Sequence, residues 1–167
     1  MLAGAWHISP DERYDFSITS NRVEVKSSGR RDRCHHFSLE QLETPPGTSL
    51  LIASINLERS SGGLSLGELI EETSDGVSIE LGNRVREIVS ETLGNTFQAA
   101  LHVAFDRELA QSSLRYCWSS NVPRIARPLP DHVSDVRFTA DLACADWISA
   151  ELAPVELFAA LPLPGTN

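Results

Sequence analysis

Two short stretches near the N-terminus alternate apolar and polar residues with a period of two. Tyr14-Asp15-Phe16-Ser17-Ile18-Thr19 does so, and Arg22-Val23-Glu24-Val25-Lys26-Ser27 repeats the pattern. That period marks a half-buried strand. Ser20-Asn21 lies between them and predicts a two-residue turn, a weaker signal than Asn-Gly. In that register Thr19 faces Arg22, Ser17 faces Glu24 and Asp15 faces Lys26. Opposed residues of an antiparallel pair point to one side. Asp15, Ser17, Glu24 and Lys26 then share one face. Tyr14, Phe16, Ile18, Val23 and Val25 line the other, which a core would cover.

The same reading continues along the chain. Residues 5–8 predict a short first strand that ends at the Ser9-Pro10-Asp11-Glu12 turn. Ser38 caps a short helix, with Gln41 completing a capping box. Thr44-Pro45-Pro46-Gly47 is a break. Ser49–Leu57 is a nearly continuous apolar run of buried-strand length, the best central strand. Ser60-Ser61-Gly62-Gly63 ends it. Leu64–Thr73 predicts a short amphipathic helix. Ser78–Leu93 predicts a longer one, with an apolar stripe through Ile79, Leu81, Val85, Ile88, Val89 and Leu93. Gly94-Asn95 stops it. Thr96–Ala110 predicts a further helix. Ser113–Ser119 and Val133–Cys144 predict late strands on either side of the proline-rich 122–131 loop, and the tail after Glu151 an extended arm. The pattern divides the chain into a β core over 1–60, a helical and β extension over 61–152, and a proline-bearing tail over 153–167. The class is α/β.

Composition adds limits. The 167 residues are 41% hydrophobic, ordinary for a globular protein. No apolar run spans a bilayer, and the N-terminus lacks the basic and apolar regions of a signal peptide. Cys34, Cys117 and Cys144 are scattered and odd in number, which predicts reduced thiols in a cytoplasmic protein. The net charge of −9 argues against wholesale nucleic-acid binding, but its distribution is uneven. Residues 1–36 carry six basic groups against five acidic ones, the remainder eight against eighteen. A phosphate-facing surface is therefore expected near Arg22 and the Gly29-Arg30-Arg31-Asp32-Arg33 loop.

Chemistry concentrates on the hairpin. Lys26 is the only lysine of the chain. Hard Mg²⁺ takes carboxylate and carbonyl oxygens and retains several waters. Asp15, Glu24 and the Val25 carbonyl could supply the protein ligands. Such an ion polarises a phosphoryl oxygen and acidifies water. Lys26 could then orient that water or stabilise developing negative charge. The bland reading is a surface strand with a cross-strand Asp–Lys pair, which adds little to stability.

Two other motifs compete. Gly63-Leu64-Ser65-Leu66-Gly67 matches G-x-S-x-G between a strand and a helix, which would make Ser65 a nucleophile. His102 or His132 would be its base, and Asp75 or Asp106 its orienter. Against this, Ser65-x-x-Glu68 is also a capping box, and the chain is short for an α/β-hydrolase. Cys34-His35-His36 suggests a metal site, but neighbours on a strand point to opposite faces and no second ligand pair follows. Local packing, or phosphate contact by His36, is the better reading. Tyr116, Trp118 and Trp147 could stack on bases, though strand aromatics more often pack in a core.

Asp15 followed by Glu24-Val25-Lys26 resembles the motif of the PD-(D/E)XK nuclease superfamily. The wider run YDFSITSNRVEVKSSGRRDRCHHFSLEQLE, then LIASINLERSSGGLSLGELIEE, NVPRI and VSDVRFTADLAC, resembles a little-characterised bacterial PD-(D/E)XK family associated with restriction and phage defence. The resemblance runs to about Cys144. It implies a restriction-endonuclease-like mixed sheet of order αβββαβ. Asp15 and Glu24 would be ligands of Mg²⁺, or of Mn²⁺ in its place, and Lys26 the water-positioning group. Gln41 falls where some members carry a catalytic glutamine. The implied activity is DNA endonuclease, with DNA as partner and Arg22, Arg30, Arg31, Arg33 and His36 as candidate contacts. Two departures stand out. Tyr14-Asp15 replaces Pro-Asp, and the fourteen residues up to Tyr14 do not read as the leading helix. The chain is then a short homologue, a fragment, or a subunit completed by a second copy or another defence-system subunit. The alternative function is a catalytically inactive DNA-binding or assembly subunit that keeps the fold.

Overall fold

The protein is described by a computed structural model covering residues 2–7 and 12–148. Its centre is a four-stranded mixed sheet in the order β1-β2-β4-β7. These strands are β1 Phe16–Ile18, β2 Asn21–Ser28, β4 Ser49–Asn56 and β7 Arg115–Trp118. β2 and β4 run parallel over eight rungs, from Asn21 opposite Ser49 to Ser28 opposite Asn56. β1 and β7 flank this pair antiparallel. This is the mixed α/β sheet expected of a restriction-endonuclease-like core. The apolar run over 49–57 is the central strand, with Leu50, Leu51, Ile52 and Ala53 all buried.

The link from β2 to β4 is not a helix. It holds β3, Cys34–Ser38, and a single 3-10 turn, Glu40–Leu42. β3 pairs antiparallel with β8, Arg137–Asp141. This two-stranded ladder covers one face of the main sheet and encloses a core of Tyr14, Phe37, Leu50, Ile52, Cys117 and Leu142. The opposite face holds a second cluster, Val23, Leu51, Ala53, Tyr116 and Ile148, joined by Phe16 and Ile18. Pairing of β4 with β7 and of β3 with β8 joins residues on both sides of position 60 into one core.

The helices lie in sequence between these ladders. α1, Leu66–Asp75, starts at the Ser65 cap with both halves of the capping box formed. α2, Ile79–Leu93, starts at Ser78 and stops at Gly94, which has a positive φ of 50°. Ile70 of α1 and Val85 and Ile88 of α2 are buried. Among the described residues no helix is long and apolar enough to cross a membrane.

Several local expectations change. The hairpin turn is Thr19-Ser20, one residue early, with Ile18 opposite Asn21 and Phe16 opposite Val23. Asn21 is claimed by the β2–β4 ladder, and Arg22 Nη1 ties the turn by donating to the carbonyls of Thr19 (3.0 Å) and Asn21 (2.9 Å). Thr19 takes the positive φ, 53°, a costly conformation for a β-branched residue. Each β1 residue meets a partner two places earlier on β2, so the faces survive. Tyr14, however, precedes β1 and sits on the Glu24 side, its hydroxyl donating to the Glu43 carbonyl at 2.6 Å.

The remaining differences follow from tertiary pairing. The strand expected over 5–8 is not formed: Ala5 ends a 3-10 turn, Leu2–Ala5, Trp6 makes an isolated bridge with Phe16, the His7 amide donates to the Asp15 carbonyl, and Ile8 lies outside the described residues. Ser60–Gly63 lies inside β5, Arg59–Ser65. The helix expected over 96–110 is divided into α3, Phe97–Ala100, then β6, Ala104–Phe105, then α4, Arg107–Ser113. The carbonyls of Leu101 and Val103 accept from Gly67 and Leu66, which pulls this stretch onto the start of α1. Asp106 then caps α4 through the Leu109 amide. The late strands are shorter than their sequence stretches.

Gly63 has a specific role in the β5–β6 contact. A Cβ there would stand 2.0 Å from the Phe105 carbonyl oxygen, so the backbones could not approach. Gly63→Ala is expected to destabilise the protein by about 1–3 kcal/mol, the range for overpacking. Urea unfolding midpoints of the two proteins check this; equal midpoints would show that the β5–β6 contact yields freely.

Candidate active site on the β2 strand

Glu24 and Lys26 lie two residues apart on β2 and so project from one face of the sheet. That face carries the β3–β8 cover. Glu24 is 5% exposed. Its Oε1 meets Lys26 Nζ at 2.7 Å and accepts from Gln41 Nε2 at 3.2 Å. Gln41 is itself fixed: its Oε1 accepts from the Ser38 amide at 3.0 Å, while the Gln41 amide donates to Ser38 Oγ at 3.2 Å. The Ser38-Gln41 capping box read from the sequence is therefore present, at a 3-10 turn. Its second effect, holding an amide against Glu24, carries no local sequence signal. Lys26 Nζ also lies 3.5 Å from Gln41 Oε1 and 5.2 Å from the Phe37 ring centroid.

Asp15 reaches the same strand from the end of β1. Its Oδ2 accepts from the Val25 amide at 2.7 Å, which anchors the carboxylate beside Glu24. Burial pushes the Glu24 carboxyl above its ordinary value of 4.5. The Lys26 hydrogen bond opposes this, the Asp15 charge adds to it, and the Lys26 charge again opposes it. Two carboxylates that repel each other in this way suit a divalent cation. Among the described residues no group of three or more His, Cys, Asp or Glu side chains is placed to hold a metal. The donors on offer are two carboxylates and backbone oxygen, a set that fits a hard ion keeping much of its water better than zinc.

The basic candidates divide. Arg30 is exposed. Arg31 Nε pairs with Glu58 at 3.1 Å on the surface. Arg22 is committed to the hairpin turn. Arg33 turns inward: Nη1 donates to Ser54 Oγ at 2.8 Å, Nη2 to the Ser113 carbonyl, and the guanidinium lies 5.1 Å from the Trp147 ring centroid. Ser54 Oγ is also 2.8 Å from Nε2 of the buried His35. Ser54 Oγ thus bridges Arg33 Nη1 and His35 Nε2. Burial holds the His35 pKa down, and the Arg33 and Lys26 charges act in the same direction. His36, the next residue, faces outward, with Nδ1 3.0 Å from Thr139 Oγ1. The two histidines thus point to opposite sides of β3.

Ser65 is not arranged as a nucleophile. Its hydroxyl is 2.6 Å from Glu68 Oε2 and accepts from the Glu68 amide at 3.2 Å, the ordinary contacts of an N-cap. Tyr116 is buried in the core, and Trp118 and Trp147 pack at its margins.

A mixed sheet with Glu-x-Lys on a central strand, an Asp just ahead of the neighbouring strand and the lysine on the glutamate, matches the PD-(D/E)XK nuclease-like class. The chain belongs to the family described as "Putative PD-(D/E)XK family member, (DUF4420)", whose model matches residues 2–143. No curated protein and no solved structure matches the chain.

The raised Glu24 pKa has a consequence for stability. Between 4.5 and the raised value the folded state binds the Glu24 proton more tightly than the unfolded state does. The stabilisation this gives is complete below 4.5 and is lost as pH rises through the folded value. Glu24→Gln removes that dependence. The stability of the wild type relative to Glu24→Gln should therefore fall with rising pH across this window and level off above it. Urea unfolding at a series of pH values measures it, and a difference that rises with pH contradicts the assignment.

Proposed function

We propose that the protein is a divalent-metal-dependent DNA endonuclease of a restriction or phage-defence system, acting within the cytoplasm. The observation that carries the reading is the meeting of Glu24, Lys26 and Gln41 on one face of the sheet, with the Asp15 carboxylate held at the Val25 amide beside them, within a chain of the PD-(D/E)XK family. Asp15, Glu24 and the Val25 carbonyl would hold Mg²⁺, or Mn²⁺ in its place. When bound, the ion supplies Lewis acidity and lowers the pKa of a coordinated water.

The side chains have separable roles. Asp15 is positioned through the Val25 amide, and its charge lies close enough to raise the Glu24 pKa. Gln41 and Lys26 both approach Glu24 Oε1, which orients the carboxylate. The Lys26 ammonium would stand beside the scissile phosphate, where negative charge grows in the transition state. Phe37 and the β3–β8 cover exclude water from the aliphatic part of Lys26, which strengthens its charge there.

A second reading rests on the same pairing. Glu24 is deeply buried and already satisfied by Lys26 and Gln41, as in a site retained for structure. In that case the protein is a DNA-binding or assembly subunit, working with a second copy or another subunit.

Plasmid cleavage with Mg²⁺ or Mn²⁺ separates the two. Cleavage is expected to stop on chelation and to fall by roughly two orders of magnitude or more in Asp15→Ala and Lys26→Ala. Mg²⁺ should also raise the melting temperature of the wild type and not of Asp15→Ala. Undiminished cleavage in both variants would sink the site. A folded wild type that neither cleaves nor responds to Mg²⁺ supports the binding subunit.

A further inference from the structure

The outer face of the β3–β8 ladder is plainly separate from the core it covers. Registers pair His36 with Thr139 and Ser38 with Arg137, and these four side chains alternate with the inward-facing His35, Phe37 and Ala140. They border an open groove of about 580 Å³ that Gln41 also lines. Gln41 is the residue that donates to Glu24, so groove and site share a wall.

The charge of this groove differs from that of the chain. The protein carries −9, yet no carboxylate lines the groove, and Arg137 and His36 do. The Arg137 side chain is exposed and forms no ion pair or hydrogen bond with another described residue. By contrast, Arg31, Arg107 and Arg127 are paired with Glu58, Glu72 and Glu43. The groove continues. His36 and Thr139 also line an adjoining cavity of about 620 Å³ that reaches Ser28, Arg30 and Asp32. Asp141, opposite Cys34, is the one acid on the ladder itself.

We propose that this trough, from Arg137 past His36 to Arg30, seats the phosphate backbone of the DNA strand that leads into the Glu24 site. The proposal rests on the nuclease reading for the identity of the ligand. Arg137 and His36 are about 7 Å apart along the ladder, two residues of strand rise. Both stand beside Gln41, whose side-chain amide donates to Glu24, so the trough and the Glu24–Lys26 pair are joined through that residue. The outer face of β3–β8 carries a hydroxyl on each of these two rungs, Ser38 and Thr139, which suits backbone contact rather than base reading. Arg137 comes from a strand about a hundred residues away from Glu24. Nothing in its local sequence marks it, and only the β3–β8 pairing brings it to the site.

The test uses the full chain carrying Asp15→Ala, so that bound DNA stays intact. Binding of a short labelled duplex is followed by fluorescence anisotropy between about 50 and 200 mM salt. Arg137→Ala is expected to raise Kd about threefold to tenfold at the lower salt. It should also reduce the slope of log K against log salt by about one, as loss of one phosphate contact does. Arg137→Lys should restore most of the slope, and Arg86→Ala, on the exposed side of α2, should change neither quantity. Because Arg137 is exposed and unpaired, its variants should melt with the parent. An unchanged Kd and slope in Arg137→Ala overturns the trough even if the wild type cleaves. A reduced slope with no cleavage by the wild type keeps the trough and overturns the nuclease. A chain that neither binds nor cleaves overturns both.

Discussion

The parallel pairing of β2 with β4 governs the rest of the molecule. Two antiparallel strands can be joined by a tight turn, but parallel ones need a crossover over the face of the sheet. Here the chain leaves β2 at Ser28 and must return to Ser49 at the same end as Asn21. It spends those residues on β3 and the 3-10 turn. That return lays Phe37 over Lys26 and brings Gln41 onto Glu24. The elements that shape the site are thus products of a connection that the sheet itself requires.

Burial sets the electrostatics. A carboxylate taken from water loses hydration that a single ion pair repays poorly, and unpaired it is costly. Glu24 is supported by Lys26 and Gln41, and its pKa still lies above normal. Behind it, Arg33, Ser54 and His35 form a second polar group, buried where Ser54 pairs with Lys26 across the ladder. Glu24, Lys26, Gln41, Arg33, Ser54 and His35 thus all have polar partners on this side of the sheet, while Asn56 Oδ1, two residues beyond Ser54 on β4, has none among the described residues. Such networks gain strength from the low dielectric around them and lose heavily when one member is removed.

Local pattern made some of this legible. Alternation put Glu24 and Lys26 on one face of β2, and the partner faces of β1 survive a turn one residue away from the expected one. They do so because the shift moves partners by an even number of positions. The apolar run over 49–57 marked β4, and the Ser65–Glu68 box marked the start of α1. What stayed hidden depends on long-range pairing. Arg59–Ser65 reads as a loop because its glycines and serines carry no strand signal; β6 makes it a strand. Residues 96–110 have helical composition, yet Leu101 and Val103 are drawn to α1. The inward turn of Arg33 and the arrival of Arg137 beside Gln41 both follow from tertiary contacts that no spacing rule encodes.

The β3–β8 ladder joins residues roughly a hundred positions apart. A contact of that span closes late, since the loop must be ordered before the pairing can reward it. During synthesis, Glu24, Lys26 and Gln41 leave the ribosome long before β8. Until Arg137–Asp141 follows, Phe37 has no β8 rung against it and the outer trough lacks one bank. The order of the chain thus separates the making of the reactive residues from the making of the surface beside them.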